Sequence, residues 1–212
     1  MEFEAYEKIP RFSKPVIVTE KIDGTNAQIY ITRPQTDGLD FGAYSHDPHA
    51  IGIVNIENGA DLYEVFAGSR SRWVQPGQAD NMGFAAWVRD NIQELVDGLG
   101  PGRHFGEWWG QKIQRAYGLT EKRFSLFNVT RWDKDTWTAF KHTPWQERFD
   151  NAPEKSKEIV MAQKPVYTPP PACCHVVPVL DTAPSLEELH LPGIMDSLEA
   201  YGSKAAPGFM KP

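Results

Sequence analysis

The string Glu20-Lys21-Ile22-Asp23-Gly24-Thr25-Asn26 sets a lysine two residues ahead of an Asp-Gly dipeptide that favours tight turns. A lysine amine attacks phosphorus only when unprotonated, and a neighbouring cation such as Mg2+, or desolvation, lowers its pKa enough to keep it so. Lys21 is therefore a candidate nucleophile. A plain exposed hairpin lysine would carry the same local string, so the chemistry has to be judged by what accompanies it.

The elements that must position Lys21 follow from the apolar pattern. Residues 16–18 and 27–32 alternate around the Asp23-Gly24 turn and read as two antiparallel strands. Residues 34–60 are rich in Gly, Pro, Asp and Asn and read as loop with room for a short helix, ahead of a strand at 63–67. In 83–97 the residues Phe84, Trp87, Val88, Ile92, Leu95 and Val96 recur at spacings of three and four, which predicts an amphipathic helix stopped by Gly98. Further strands are expected at 104–108, 124–130, 137–140 and 175–180, a last helix within 185–200, and a Pro-rich surface connection at 165–171. Strands without βαβ alternation imply an α+β fold with mostly antiparallel sheets flanked by helices. Residues 1–212 are expected to form one domain.

Composition narrows the class. Of 212 residues, 41% are hydrophobic and 24% charged, which excludes a disordered, collagen-like or coiled-coil chain. No apolar run approaches the ~18 residues of a membrane span, and the acidic start is no signal peptide, so a cytoplasmic protein without a membrane partner is expected. The two cysteines, Cys173 and Cys174, are adjacent and suit neither a mutual disulfide nor a zinc site; they read as buried strand residues. The net charge of −6 argues mildly against indiscriminate nucleic-acid binding, but residues 101–144 carry Arg103, Lys112, Arg115, Lys122, Arg123, Arg131, Lys134 and Lys141 against four acids, which allows a basic face there.

Three more strings follow Lys21 in order: Gly68-Ser69-Arg70-Ser71-Arg72-Trp73, Phe105-Gly106-Glu107-Trp108-Trp109-Gly110 and Phe124-Ser125-Leu126-Phe127-Asn128-Val129. With the Lys21-Ile22-Asp23-Gly24 string, this ordered set resembles the nucleotidyltransferase motifs of ATP-dependent RNA ligases, relatives of DNA ligases and mRNA capping enzymes. Val177-Pro178-Val179-Leu180 and Gly202-Ser203 extend the resemblance to about Lys211. The resemblance implies an adenylation-domain fold, ATP and Mg2+ (or Mn2+) as cofactors, RNA with 5′-phosphate and 3′-hydroxyl ends as partner, and Lys21 as the residue that becomes covalently adenylylated.

By the same resemblance, Asp23 and Glu107 hold hydrated Mg2+ or the ribose hydroxyls, and Phe127 lays its ring on the adenine, unless it is one more core residue. Glu20 accepts a hydrogen bond from the adenine amino group, and Ile22 belongs to the nucleotide site. Arg70 contacts a ribose or a phosphate, with Arg72 as rival in the Ser-Arg-Ser-Arg repeat. Asn26 and Arg115 face nucleotide or polynucleotide. Trp108 and Trp109, adjacent on a strand, point to opposite faces, at least one of them into the core. The family continues into two further motifs, the second with paired lysines that neutralise the triphosphate. The sequence stops at Pro212, so on its own it is expected to bind nucleotide poorly and react slowly, as a monomer. A noncatalytic end-binding module, a DNA ligase or a capping guanylyltransferase are the rival readings.

Overall fold

The computed structural model describes residues 14–34, 47–55, 61–77 and 80–209. The chain divides into two units: Met1–Lys21 with Pro178–Pro212, and Ile22–Val177.

The larger unit is built on one sheet in the order β3 (Gly52–Asn55), β4 (Leu62–Gly68), β2 (Thr25–Thr32), β6 (Gly102–Gly110), β7 (Lys122–Leu126), β8 (Cys174–Val176), with β5 (Trp73–Val74) paired to β4. Its pairs are antiparallel except β7 with β8. Strand β2 shows why the sheet has two unlike faces. Ala27, Ile29 and Ile31 are buried on one side, while Asn26, Gln28, Tyr30 and Thr32 alternate onto the other. The apolar face is covered by α1 (Phe84–Asp90) and α2 (Ile92–Leu99), whose Phe84, Val88, Leu95 and Leu99 are fully buried with Ile29, Val65, Trp108, Phe124 and Leu126. Each such side chain is worth roughly 1.5–3 kcal/mol of burial.

The expected 83–97 helix is thus two helices. Gly83 enters with φ +85°, and Asp80 reaches over it to accept from the Ala85 and Ala86 N–H groups at 2.7 and 3.1 Å. At Asn91 the side-chain amide donates to the Trp87 carbonyl at 2.8 Å, and this local bond competes with the helical ladder where the break falls.

The residues 137–140, expected as a strand, are helical. They belong to α4 (Lys134–Trp137) and a π-turn at Thr138–His142 that runs into α5 (Thr143–Asp150). Asp133 caps α4 by accepting from the Thr136 N–H at 2.8 Å, and Pro144 in the first turn of α5 has no N–H to donate backward. The expected 124–130 strand ends at Leu126, and α3 (Val129–Trp132) starts beyond Asn128. Helix α6 (Glu154–Met161) is joined to α5 by Trp145 Nε1 donating to the Val160 carbonyl at 3.0 Å. Strand β3 falls in the loop expected at 34–60, of which 35–46 and 56–60 lie outside the described residues.

In the smaller unit β1 (Val16–Thr19) pairs antiparallel with β9 (Val179–Ala183), followed by α7 (Leu191–Tyr201). Two expectations are corrected here. Strand β1 pairs with β9 rather than with β2, so Asp23-Gly24 does not close a hairpin. The single strand expected at 175–180 is split at Pro178, which has no N–H for a ladder, into β8 and β9 of different sheets. Among the described residues no helix is long and apolar enough to cross a membrane.

Candidate functional site

The register of β2 against β6 sets Asn26 directly opposite Glu107, on the face away from the apolar core. Glu107 is only 7% exposed, and its two carboxylate oxygens are held from two directions. Asn26 Nδ2 donates to Oε2 at 3.0 Å, and the Gly24 backbone N–H donates to Oε1 at 3.1 Å. A buried carboxylate needs such donors, since an unpaired one would be strongly penalised. Gly24 has to be a glycine for this approach. A Cβ there would lie 2.5 Å from the Trp108 carbonyl oxygen and 2.7 Å from Trp109 Cβ.

One residue earlier, Asp23 is fixed through both its backbone and its side chain. Its N–H donates to the Tyr117 hydroxyl at 2.7 Å, and Arg115 Nε donates to its Oδ2 at 3.1 Å, in a half-exposed ion pair. Tyr117 is buried, takes φ +52° and meets Trp109 edge-on with ring centroids 5.0 Å apart. Trp109 Nε1 in turn donates to Ser125 Oγ at 2.9 Å. Trp108 and Trp109 are both buried on opposite sides of β6, Trp108 against Phe84 and Trp87 and Trp109 against Tyr117. Tyr117 gave no signal in the sequence, because its role depends on a loop with left-handed residues at Lys112, Gln114, Ala116 and Tyr117 that no string announces.

Phe127 is 43% exposed, not a core residue, whereas Phe124 is buried against Phe84 and Trp87. The strand ends between them, which frees Phe127 from the alternation. Its N–H donates to the Phe105 carbonyl at 3.0 Å, and Phe105, itself 52% exposed, joins Phe127, Arg103, Asn128 and Arg131 around a cavity of about 240 Å3. Arg131 lies 4.1 Å from the Trp132 ring centroid and donates to the Leu99 carbonyl at 2.7 Å. Arg70 and Arg72 are exposed in the four-residue loop between β4 and β5, closed by Ser69 N–H donating to the Arg72 carbonyl at 2.8 Å. Ile22 has a buried side chain.

In the smaller unit Lys21 is exposed. Glu20 is 3% exposed, and its carboxylate accepts from Ser203 Oγ at 2.6 Å and from the Lys204 and Ala205 N–H groups at 2.8 and 2.9 Å. The carboxylate of Glu20, the residue expected to face an adenine amino group, anchors the loop after α7 through Ser203 and two backbone N–H groups.

Three of the cations of 101–144 are engaged within the fold. Arg115 is paired with Asp23, Arg123 with Glu121, and Lys122 donates to the Met82 carbonyl at 2.7 Å. Burial and Arg131 push the His104 imidazole below its ordinary value, while its Nε2 lies 2.9 Å from the Gly100 carbonyl. Cys173 and Cys174 are free thiols, and a hydrogen bond with Cys173, then burial, raise Cys174 far out of the reactive range. Among the described residues no three His, Cys, Asp or Glu side chains gather as a metal site.

The RNA ligase family profile matches residues 14–200, a span that includes all four of the strings that begin at Lys21. The chain belongs to the RNA ligase family. Solved structures similar to it include forms of the Naegleria gruberi RNA ligase. An apo variant is 16% identical over 82% of this chain and 39% of that one, with a TM-score of 0.41. A variant with ATP and Mn is 15% identical over 83% and 38%, with a TM-score of 0.42, and one with AMP and Mn is 14% identical over 82% and 39%, with a TM-score of 0.41. The chain thus spans about two fifths of the length of those proteins. Curated proteins compared by sequence give no match.

Proposed function

We propose that this chain carries the adenylation chemistry of an ATP-dependent RNA ligase. In the first step the Lys21 amine loses its proton and attacks the α-phosphorus of ATP. A P–N bond forms as the bond to pyrophosphate breaks, and pyrophosphate leaves with the electron pair. In the second step a 5′-phosphate oxygen of RNA attacks that phosphorus and releases Lys21. A 3′-hydroxyl then attacks the activated RNA end, and AMP departs. Chemistry of this kind rests on positioning and on neutralising charge.

The observation that carries the reading is the fixed carboxylate of Glu107. It is buried and aimed by Asn26 and by the Gly24 N–H, three residues after Lys21 in the chain. An acceptor held in this way suits the ribose hydroxyls of a nucleotide. Because both of its oxygens already accept hydrogen bonds, it suits a metal less well. Asp23, half-exposed, fits the one or two protein carboxylates that a hydrated Mg2+ or Mn2+ needs beside substrate phosphates. That cation would supply charge neutralisation at the α-phosphate and pyrophosphate. Phe127, exposed beside a cavity, fits an adenine ring, and Arg70 or Arg72 a phosphate.

Incubation with α-labelled ATP or GTP, followed by denaturing electrophoresis, tests the reading. Covalent label from ATP alone, lost on Lys21→Ala, supports it. Label from GTP alone points to a capping-type enzyme, and absence of covalent label from both points to a noncatalytic binding module.

A further inference from the structure

The face of the large sheet opposite its apolar core, which carries Asn26 and Glu107, also carries an aromatic cluster around Arg103. Arg103 on β6 lies directly across from Tyr30 on β2, and its guanidinium carbon is 4.2 Å from the Tyr30 ring centroid and 5.3 Å from that of Trp73. Tyr30 and Trp73 are stacked within 15° of parallel at 6.1 Å, and buried Phe66, paired across the strands with Tyr30, lies 5.8 and 5.2 Å from their rings. The guanidinium is held in place: Nη1 donates to Gln28 Oε1 at 3.1 Å, and Gln28 Nε2 donates to the Ser69 carbonyl at 3.1 Å.

The register extends the cluster across the sheet. Trp73 pairs with Gly68, Gly68 with Gln28, and Gln28 with Phe105, so a single row crosses β5, β4, β2 and β6. Three strand spacings of ~4.8 Å make that row about 14 Å long. Gly68 contributes no side chain to it, and a Cβ there would press on Gln28 at 2.7 Å. The row runs from Trp73, next to exposed Arg70 and Arg72, to Phe105 at the far end. Of the acids on the same face, Glu64 is buried and accepts from the Asp47 N–H at 3.0 Å, and Glu107 is buried and held by Asn26 and the Gly24 N–H.

We propose that Arg103, Tyr30, Trp73 and Phe105 form a base-stacking platform for a single-stranded segment of RNA. The part-exposed rings of Tyr30 and Trp73, the exposed Phe105 ring and the exposed Arg103 guanidinium match unpaired bases, which offer a π face whatever their sequence, and whichever of Arg70 and Arg72 does not hold the nucleotide matches the phosphates. A base-paired helix hides those faces, so the platform discriminates single strands from duplex. The inference rests on the RNA ligase reading only for the choice of RNA as polyanion.

Two measurements on the whole chain test it. In the first, the affinity for a fluorescent single-stranded RNA of about a dozen nucleotides and for a duplex of equal length is read by anisotropy. The parent should prefer the single strand. Trp73→Leu should weaken single-strand binding about ten- to hundredfold, the usual loss for one stacked base, while Trp73→Phe retains most of it. In the second, the same RNA bearing 5-iodouridine is photocrosslinked and the adducts are mapped by mass spectrometry; they should fall on Tyr30, Trp73 or Phe105, a readout that does not depend on any variant folding. Duplex preference, unchanged binding in Trp73→Leu, or adducts confined to other surfaces would overturn the platform. Covalent AMP on Lys21, measured in parallel, reports on the ligase reading separately, so the two can fail independently.

Discussion

Replacing Asn26 by Asp changes one atom type at the point where the candidate site is most tightly specified. The amide that donates to Glu107 Oε2 at 3.0 Å becomes a carboxylate oxygen facing another carboxylate. At 3 Å and an effective dielectric constant of about 20, two unit charges repel by roughly 5–6 kcal/mol. The pair has two ways out. It can hold a proton, which costs about 1.4 kcal/mol for each pH unit above the ordinary carboxyl range, or ~4 kcal/mol at pH 7. It can also swing the new side chain into solvent, which the exposed position of residue 26 allows. That leaves Glu107 without the amide and loses a hydrogen bond to a charged group, about 1.5–3 kcal/mol. A net loss of about 2–3 kcal/mol at pH 7.5 follows, or roughly 4–12 °C in Tm for a chain of this size. Proton uptake relieves the repulsion, so the deficit should shrink as the pH falls toward 5. Asn26→Ala, which only removes the donor, should lose about 1.5 kcal/mol with no such pH dependence. Urea unfolding of both variants between pH 5 and 8 decides it. If Asn26→Asp is as stable as the parent at pH 7.5 and the difference stays flat with pH, Glu107 is not held as a carboxylate by Asn26.

Other consequences can be checked on the same protein. Tyr117→Phe removes the acceptor for the Asp23 N–H and should lower stability by about 1 kcal/mol, and covalent AMP formation should slow with it, measured side by side with the parent. Gly24→Ala drives a methyl group into the β6 backbone and should destabilise by about 1–3 kcal/mol in urea unfolding. His104 is held below the ordinary imidazole value by burial, so the unfolded chain takes up its proton first as the pH drops through about 6.5. Its neutral form contributes stability that is fully present above that pH and is lost below it. His104→Gln should therefore flatten the fall in Tm between pH 7 and 5. Lys21→Arg should abolish covalent labelling as fully as Lys21→Ala, since a guanidinium stays protonated.

Much of the fold was written in side-chain alternation. Strand β2 could be placed from Ala27, Ile29 and Ile31 because a two-residue period is visible without any partner. The pairing of β1 was not, because Asp23-Gly24 offers a hairpin turn locally and only the register with 179–183 and Pro178 shows where β1 goes. Residues 137–140 were misjudged because a short apolar run fits a strand or a helix equally well, and the Asp133 cap that decides between them acts from outside it. At the candidate site, residue types were legible and partnerships were not. Glu107 and Asn26 could each be singled out, but their cross-strand pairing comes from a register set over eighty residues of separation. Glu20 could be singled out as the residue before Lys21, but its bond to Ser203, far along the chain, could not.

Peptide mapping of the protein after prolonged incubation with ATP and Mg2+ tests the central claim most directly. The account predicts a mass gain of one AMP on the peptide containing Lys21, even if only a small fraction of molecules react, with none on any other lysine and none in Lys21→Ala. AMP on a different residue, an undiminished adduct in Lys21→Ala, or no covalent AMP at all would contradict it.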